Sequence, residues 1–300
     1  MSFDGRLSLL DFTNKNPTFK LIKNKIPNKN ISNKNSKILV LREQGVGDEL
    51  LYGTMYNDLL NKFSNLVIEC DERLIPLFKN SFESQKDKFV KLGTHSLDAK
   101  KINNFDYIIY AGSLGKYFRN DLNSFSQSPY MKSFKNYKNS ELDNILKKTL
   151  GLKIGISWKS LNNRYSSEKS LSLEDFENIF NIKNSTIFNL QYGDVNEDLK
   201  NFTKKLEYKI ITLKKLNLFN NFTGLADLLK KLDLFFTVSN STAHLAGALG
   251  VKTILIKPAN HASFHYWDYE DGKTPWYKSV NIISKKNLKN KKFINKFFNL

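Results

Sequence analysis

Cysteine is almost missing from this chain of 300 residues: Cys70 stands alone, which excludes an internal disulfide and any zinc cluster built on thiolates. Long apolar runs are missing too. No stretch approaches the roughly 18 apolar residues of a membrane span. The start, MSFDGRLSLLDF, carries an early acidic residue and no apolar core of signal-peptide length. These absences predict a soluble, cytoplasmic protein. Arginine is scarce as well, five against 42 lysines, so the net charge of +18 comes from lysine scattered among asparagine, isoleucine and phenylalanine. A nucleic-acid reader concentrates arginine and aromatics on one face. No specific nucleic-acid partner is expected, although charge of this size still biases encounters and leaves peripheral contact with an anionic membrane open.

What is present is ample core material. Forty per cent of the residues are hydrophobic and 13% aromatic. A chain of this length is about twice a typical domain, so two domains are expected. Residues 1–36, rich in Asn and Lys with no periodicity, read as an extension or linker. Strands and helices then alternate. KILVLRE (37–43), NLVIECD (65–71), KFVKLG (88–93) and FDYIIYAG (105–112) read as strands, with a helical stretch after the first of them reaching about Lys62. Residues 113–150 are polar and strand-free. The pattern restarts with LKIGISWKS (152–160), STIFNLQYG (185–193), YKIITL (208–213), LFFTVSN and KTILIKP as strands. Between them lie helices such as SLEDFENIF and TGLADLLKKL. Two such halves, 37–150 and 151–283, predict an α/β protein of two Rossmann-like domains facing each other across a cleft. The tail, 284–300, spaces Leu288, Phe293, Ile294, Phe297 and Phe298 as an amphipathic helix that docks on the body.

Ligands of parallel α/β sheets sit beyond the carboxyl ends of the strands, and two turns there draw notice. In REQGVGDELL, Gly45 and Gly47 allow a tight turn and close backbone approach, and Asp48 starts the next helix. Asp48 is either a helix cap or a general base at the mouth of a site. In FFTVSNSTAHLAGALGVKTILI, Asn240 or Ser241 caps a helix that opens Ser-Thr-Ala-His and continues in Ala, Leu and Gly. Free N–H groups and the positive dipole end at such a terminus attract phosphate. His244 either donates to that anion or is a packed core histidine.

Five segments in fixed order, EQGVGDELLYG, GISWKS, FNLQYGD, VSNSTAHLAGALG and TPWYKSV, together resemble the catalytic region of tetratricopeptide-linked glycosyltransferases. These are related to the bacterial heptosyltransferases of glycosyltransferase family 9. The resemblance runs from about residue 37 to about 283, with EQGxGD and STAHLAGALG its specific elements. It implies the GT-B fold, with the acceptor in the N-terminal half and a nucleotide-sugar donor in the C-terminal half. Ser239-Asn240 stand where many members have Asp-Thr, and PANHASFHYWDYEDG is longer than its counterpart. His261 and His265 in that loop lack a third ligand at usable spacing. No Asp-x-Asp motif is present, Asp268-Tyr-Glu270 being a poor substitute.

The resemblance implies a metal-independent, inverting glycosyltransferase with no cofactor beyond its nucleotide-diphosphate-sugar co-substrate. Its acceptor would be a hydroxyl on a glycan, a lipid-linked glycan or a protein. Asp48 would deprotonate that hydroxyl. Lys159 and Arg164 would offset charge on the leaving diphosphate, which Asn240, Ser241, Thr242 and His244 would hold. Gln191 and Tyr192 are candidates for the base or ribose. The alternative is a catalytically inactive GT-B-like module that binds a sugar nucleotide or acts as a scaffold.

Overall fold

The computed structural model describes residues 17–28, 30–91, 93, 99–126, 128–161, 166–205, 210–258, 264, 266–267 and 272–298. Two compact units divide them. The first runs to Ser126 and includes Tyr130–Lys132; the second runs from Ser133 and includes Pro129. The second unit thus begins ahead of residue 151, so the helix Ser140–Lys147 belongs to it.

In the first unit, β1 (Ile38–Leu41), β2 (Leu66–Glu69), β3 (Phe89–Val90) and β4 (Tyr107–Tyr110) form a parallel sheet in the order β3-β2-β1-β4. Ile38 aligns with Leu66 on one side and Tyr107 on the other. All four residues of β1 are buried, as a central parallel strand covered on both faces requires. The helix Val46–Tyr52 passes through a 3-10 turn into Tyr56–Lys62 and buries Leu50, Leu51, Met55 and Leu59. One expectation is corrected here. Residues 17–25 are not a featureless linker but a helix, Pro17–Ile22, and a 3-10 turn, Lys23–Lys25. Ile22 is fully buried against Leu39, Leu41, Ile102 and Ile108, and the Lys25 ammonium donates to the Phe105 carbonyl at 2.9 Å. A few isoleucines anchor an otherwise polar segment.

The second unit has six parallel strands: β5 (Leu152–Ser157), β6 (Ser185–Asn189), β7 (Ile210–Ile211), β8 (Leu234–Thr237), β9 (Thr253–Lys257) and β10 (Val280–Ser284). Their order, β10-β9-β8-β5-β6-β7, is the doubly wound order of dinucleotide-binding sheets. The edge strand β10 was not foreseen, its VNIIS being too short to stand out. The tail also departs from expectation. It forms two short helices, Lys285–Leu288 and Lys291–Asn295, instead of one. Asn290 adopts extended geometry between them and caps the second through Phe293 N, which breaks any continuous helix. Leu288 and Ile294 are fully buried in the core, and Asp175 pairs with Lys285 and Lys289 at 2.7 and 3.4 Å.

Candidate functional site

Strands β5 and β8 lie side by side while the chain winds away from them in opposite directions. Their carboxyl ends therefore frame the crevice where ligands of such sheets bind. A buried polar network fills this point. Asn240 caps the helix Ser241–Leu249, accepting from Ala243 N at 3.0 Å. Its amide nitrogen donates to Ser157 Oγ at 2.8 Å and to the Lys159 carbonyl at 3.3 Å. Ser157 Oγ in turn donates to Gln191 Oε1, which also accepts from the backbone N–H groups of Trp158 and Lys159, at 2.7–3.0 Å. Gln191 Nε2 donates to the Tyr192 carbonyl at 2.9 Å. Gln191 and Asn240 are thus fasteners that tie the ends of β5, β6 and β8 together.

The network holds the helix N-terminus in place. The helix is buried from Thr242 to Leu249 and ends at Gly250, whose φ of 72° is the left-handed closure that glycine makes without strain. The Tyr277 ring lies so close that a Cβ on Gly247 would come within 2.5 Å of it. At the second helical position Thr242 is 1% exposed, and its hydroxyl meets no hydrogen-bond partner among the described residues. An orphaned buried hydroxyl beside unsatisfied helix N–H groups is uncommon in a protein interior. Burial raises the pKa of the half-buried Tyr192, with Ser241 and the Leu161 backbone opposing the rise.

His244 is packed among aromatics. Its ring stacks on Trp267 at 4.9 Å, meets Tyr266 and Tyr277 edge-on, and places Nδ1 3.2 Å from the Tyr277 hydroxyl. Trp267 Nε1 donates to Ser239 Oγ at 3.0 Å, so the aromatic group is fastened to the same turn. Of the two readings open at His244, this surrounding favours the packed one.

Lys159 Nζ lies 2.5 Å from Asp198 Oδ2, with both side chains about one-third exposed. Sequence reasoning missed Lys169. It is 7% exposed, and its ammonium lies 3.9 Å from the centroid of the Phe264 ring. Nothing in SSEKSL distinguishes this lysine from 41 others. Arg164, His261, His265 and the Asp268–Asp271 segment lie outside the described residues.

In the first unit the corresponding switch point lies between β1 and β4. Glu43 Oε1 accepts from Gly112 N at 2.5 Å and joins the loops that follow the two strands. The tight turn differs from expectation. Gln44, not a glycine, takes the positive φ of 60°. Gly45 is the extended N-cap of Val46–Tyr52, and Gly47 lies inside that helix. Asp48, at the third helical position, accepts from Gly45 N at a long 3.3 Å and is only part-buried.

Beside it stands an unforeseen clamp. Glu49, 1% exposed, accepts from Arg42 Nε at 3.0 Å and from Asp71 N at 2.8 Å. Arg42 also donates to Asp71 Oδ2 at 3.0 Å, and Arg73 grips the same carboxylate at 2.8–3.0 Å. Burial pushes the Glu49 carboxyl up to about 7, against the pull of Arg42. Among the described residues no group of three or more His, Cys, Asp or Glu is placed to hold a metal ion. None of their helices is long and apolar enough to cross a membrane.

No protein-family model matches the chain. Protein FlbA of Caulobacter vibrioides is 25% identical over 268 residues, 82% of this chain and 43% of FlbA, so the chain spans less than half of that relative's length. Among solved structures, the glycosyl transferase family 9 protein of Veillonella parvula has a TM-score of 0.59 at 14% identity, covering 85% of this chain and 89% of its own. The ADP-heptose heptosyltransferase II of E. coli has a TM-score of 0.51 at 11% identity, covering 88% and 97%. Two parallel Rossmann-like sheets and these likenesses make the fold the GT-B type.

Proposed function

We propose that the chain is a glycosyltransferase related to family 9 and that its second unit seats the diphosphate of a nucleotide sugar. The observation that carries this reading is the N-terminus of Ser241–Leu249. It is fixed by Asn240 at the switch point and carries the orphaned Thr242 hydroxyl. Its backbone N–H groups with the Ser241 and Thr242 hydroxyls supply donors, and the dipole supplies partial positive charge. Lys159, at the end of β5, adds a cation on exchanging Asp198 for phosphate. The E. coli neighbour is named for an ADP-heptose donor, which supports a nucleotide sugar as the donor class.

The reaction follows from these parts. Asp48 takes the proton of an acceptor hydroxyl on a glycan, lipid-linked glycan or protein. The alkoxide attacks the anomeric carbon from the face opposite the diphosphate, inverting it. Negative charge gathering on the leaving diphosphate is met by the helix terminus and Lys159, so no metal is required. The long Gly45–Asp48 contact is weak enough to yield to substrate.

A second reading, a sugar-nucleotide-binding or scaffold module without turnover, draws on the same residues. Asp48 is engaged as a cap, and Lys159 faces a carboxylate. Incubating chelator-treated protein with nucleotide sugars separates the two. Sugar transfer or donor hydrolysis is expected, and Asp48→Asn should lower kcat by about 10²–10⁴-fold while nucleotide affinity stays level. Binding without turnover supports the module. Strict dependence on Mg²⁺ or Mn²⁺ would refute the metal-free seat.

A further inference from the structure

The last residue of EQGVGDELLYG, Gly53, plays no part in the turn at Gln44, and its φ of −55° is one that any residue adopts. Its missing side chain makes room for Tyr130. A Cβ on Gly53 would stand 2.6 Å from the Tyr130 hydroxyl, which donates to the Leu50 carbonyl at 2.5 Å. Tyr130 is buried, and its ring also packs against Phe82. The bond falls where the helix Val46–Tyr52 gives way to the 3-10 turn Gly53–Met55. Such a break within a helical run is a common place for a hinge.

The seven-residue helix is thus a separate lever, and it carries Asp48. Glu49 fastens one end of it, accepting from Arg42 Nε and Asp71 N. Tyr130 fastens the other. The next helix, Tyr56–Lys62, has a fastening of its own, because Arg119 donates to the Thr54 carbonyl and to Asp58, both at 2.8 Å.

Tyr130 is also a residue at which the chain passes from the second unit into the first. The segment after it stays tied there: the Lys132 carbonyl accepts from Asn80 Nδ2 at 3.0 Å, and Lys132 N donates to Ser81 Oγ at 2.8 Å. One peptide bond before Tyr130, Pro129 belongs to the second unit and lies on Gly250, where a Cβ would run into the proline ring. Gly250 closes Ser241–Leu249, the helix whose N-terminus is the diphosphate seat. A helix of nine residues is a rod of about 14 Å, so a displacement of its start is felt at its end. Proline fixes its own φ, which leaves the join little freedom to absorb a shift.

We propose that Tyr130 is a positioning residue for Asp48: it holds the Asp48 helix through Leu50 and, through Pro129, makes that hold respond to a diphosphate in the second unit. This role rests on the diphosphate seat and on Asp48 as the base. It sets the base for the acceptor only once donor is bound.

Hydrogen–deuterium exchange on the whole chain, with and without inorganic pyrophosphate, tests this on wild type, Tyr130→Phe and Pro129→Gly. Tyr130→Phe keeps the ring and removes only the hydroxyl bond, and melting curves verify that both variants fold. Coupling between two sites changes an equilibrium by about 5–150-fold, so pyrophosphate should slow exchange in wild-type residues 46–55 at least about fivefold, as well as slowing Ser241–Leu249. In both variants the slowing should persist at Ser241–Leu249 and vanish at 46–55. A tyrosine that only stabilises the fold behaves differently. Its loss speeds exchange at 46–55 equally with and without pyrophosphate, leaving their ratio as in wild type. That result overturns the positioning role, as does wild type protected at Ser241–Leu249 alone, and in both cases the seat stands. Wild type that pyrophosphate protects in neither segment overturns the seat and the coupling together.

Discussion

Replacing Glu49 with glutamine removes the charge of a carboxylate that the fold buries almost completely between Arg42 and the Asp71 backbone. Burial raises its pKa from 4.5 to about 7. A carboxyl with a raised folded pKa holds its proton in the native state after the unfolded chain has released it. Its stabilising contribution is therefore complete below pH 4.5 and is lost as pH rises through 7. A tenfold difference in proton affinity between the folded and unfolded chain is worth about 1.4 kcal/mol, so the first unit should lose roughly 2–3 kcal/mol between pH 5 and pH 8. Asp71 and Asp175 do not confuse this window. Burial raises both carboxyls, but hydrogen bonds from Arg73 and from Lys285, with the neighbouring cations, leave each below its usual value. Their contribution is lost only as pH falls below the usual carboxylate range. Cys70 supplies the assay, being the single, buried cysteine and lying in the first unit. Its labelling by a pyridyl disulfide across a urea series, normalised to unfolded chain at each pH, reports opening of that unit. Glu49→Gln should flatten the pH dependence by the stated amount, whatever constant offset it introduces. An unchanged pH dependence in the variant would show that Glu49 is ionised throughout and the reasoning wrong.

Thr242→Val keeps the side chain's shape but deletes a buried hydroxyl that meets no partner among the described residues, so stability should rise by about 1 kcal/mol while pyrophosphate affinity falls. Melting curves and calorimetry on the same sample check both halves. His244→Ala empties the stack against Trp267 and should cost about 2–4 kcal/mol, weakening nucleoside and nucleoside diphosphate together. Selective loss of the diphosphate with an unchanged melting temperature would restore the anion-donor role. Ile294→Ala, at a fully buried tail position, should cost about 2–5 kcal/mol by thermal melting, whereas a tail resting loosely on the surface would register almost nothing.

Where a feature depends on neighbours in sequence, it was legible. The central strands β1 and β8, ILVL and LFFT, are near-continuous apolar runs, because central parallel strands are covered on both faces. SNSTAH announces a capped helix start because Asn or Ser there can satisfy only local N–H groups. The turn at Gln44 misled because two nearby glycines advertise a freedom that the backbone uses one residue earlier. Asn290 broke the tail helix because capping competed with an apolar spacing that favoured continuity. The Arg42–Glu49–Asp71 clamp depends on β1 pairing with β2, and no periodicity contains it.

Charge was the hardest property to read, for a physical reason that also bears on the proposed chemistry. In a chain with 42 lysines, abundance says nothing about which ammonium is desolvated. Lys159 drew notice because it ends a strand, yet it is about one-third exposed beside a carboxylate, where solvent screens it. Lys169 did not, although it is buried against an aromatic face. A buried cation acts on a phosphate through a lower effective dielectric, so the same unit charge does more there. Which lysine is desolvated is therefore a property that only tertiary packing determines.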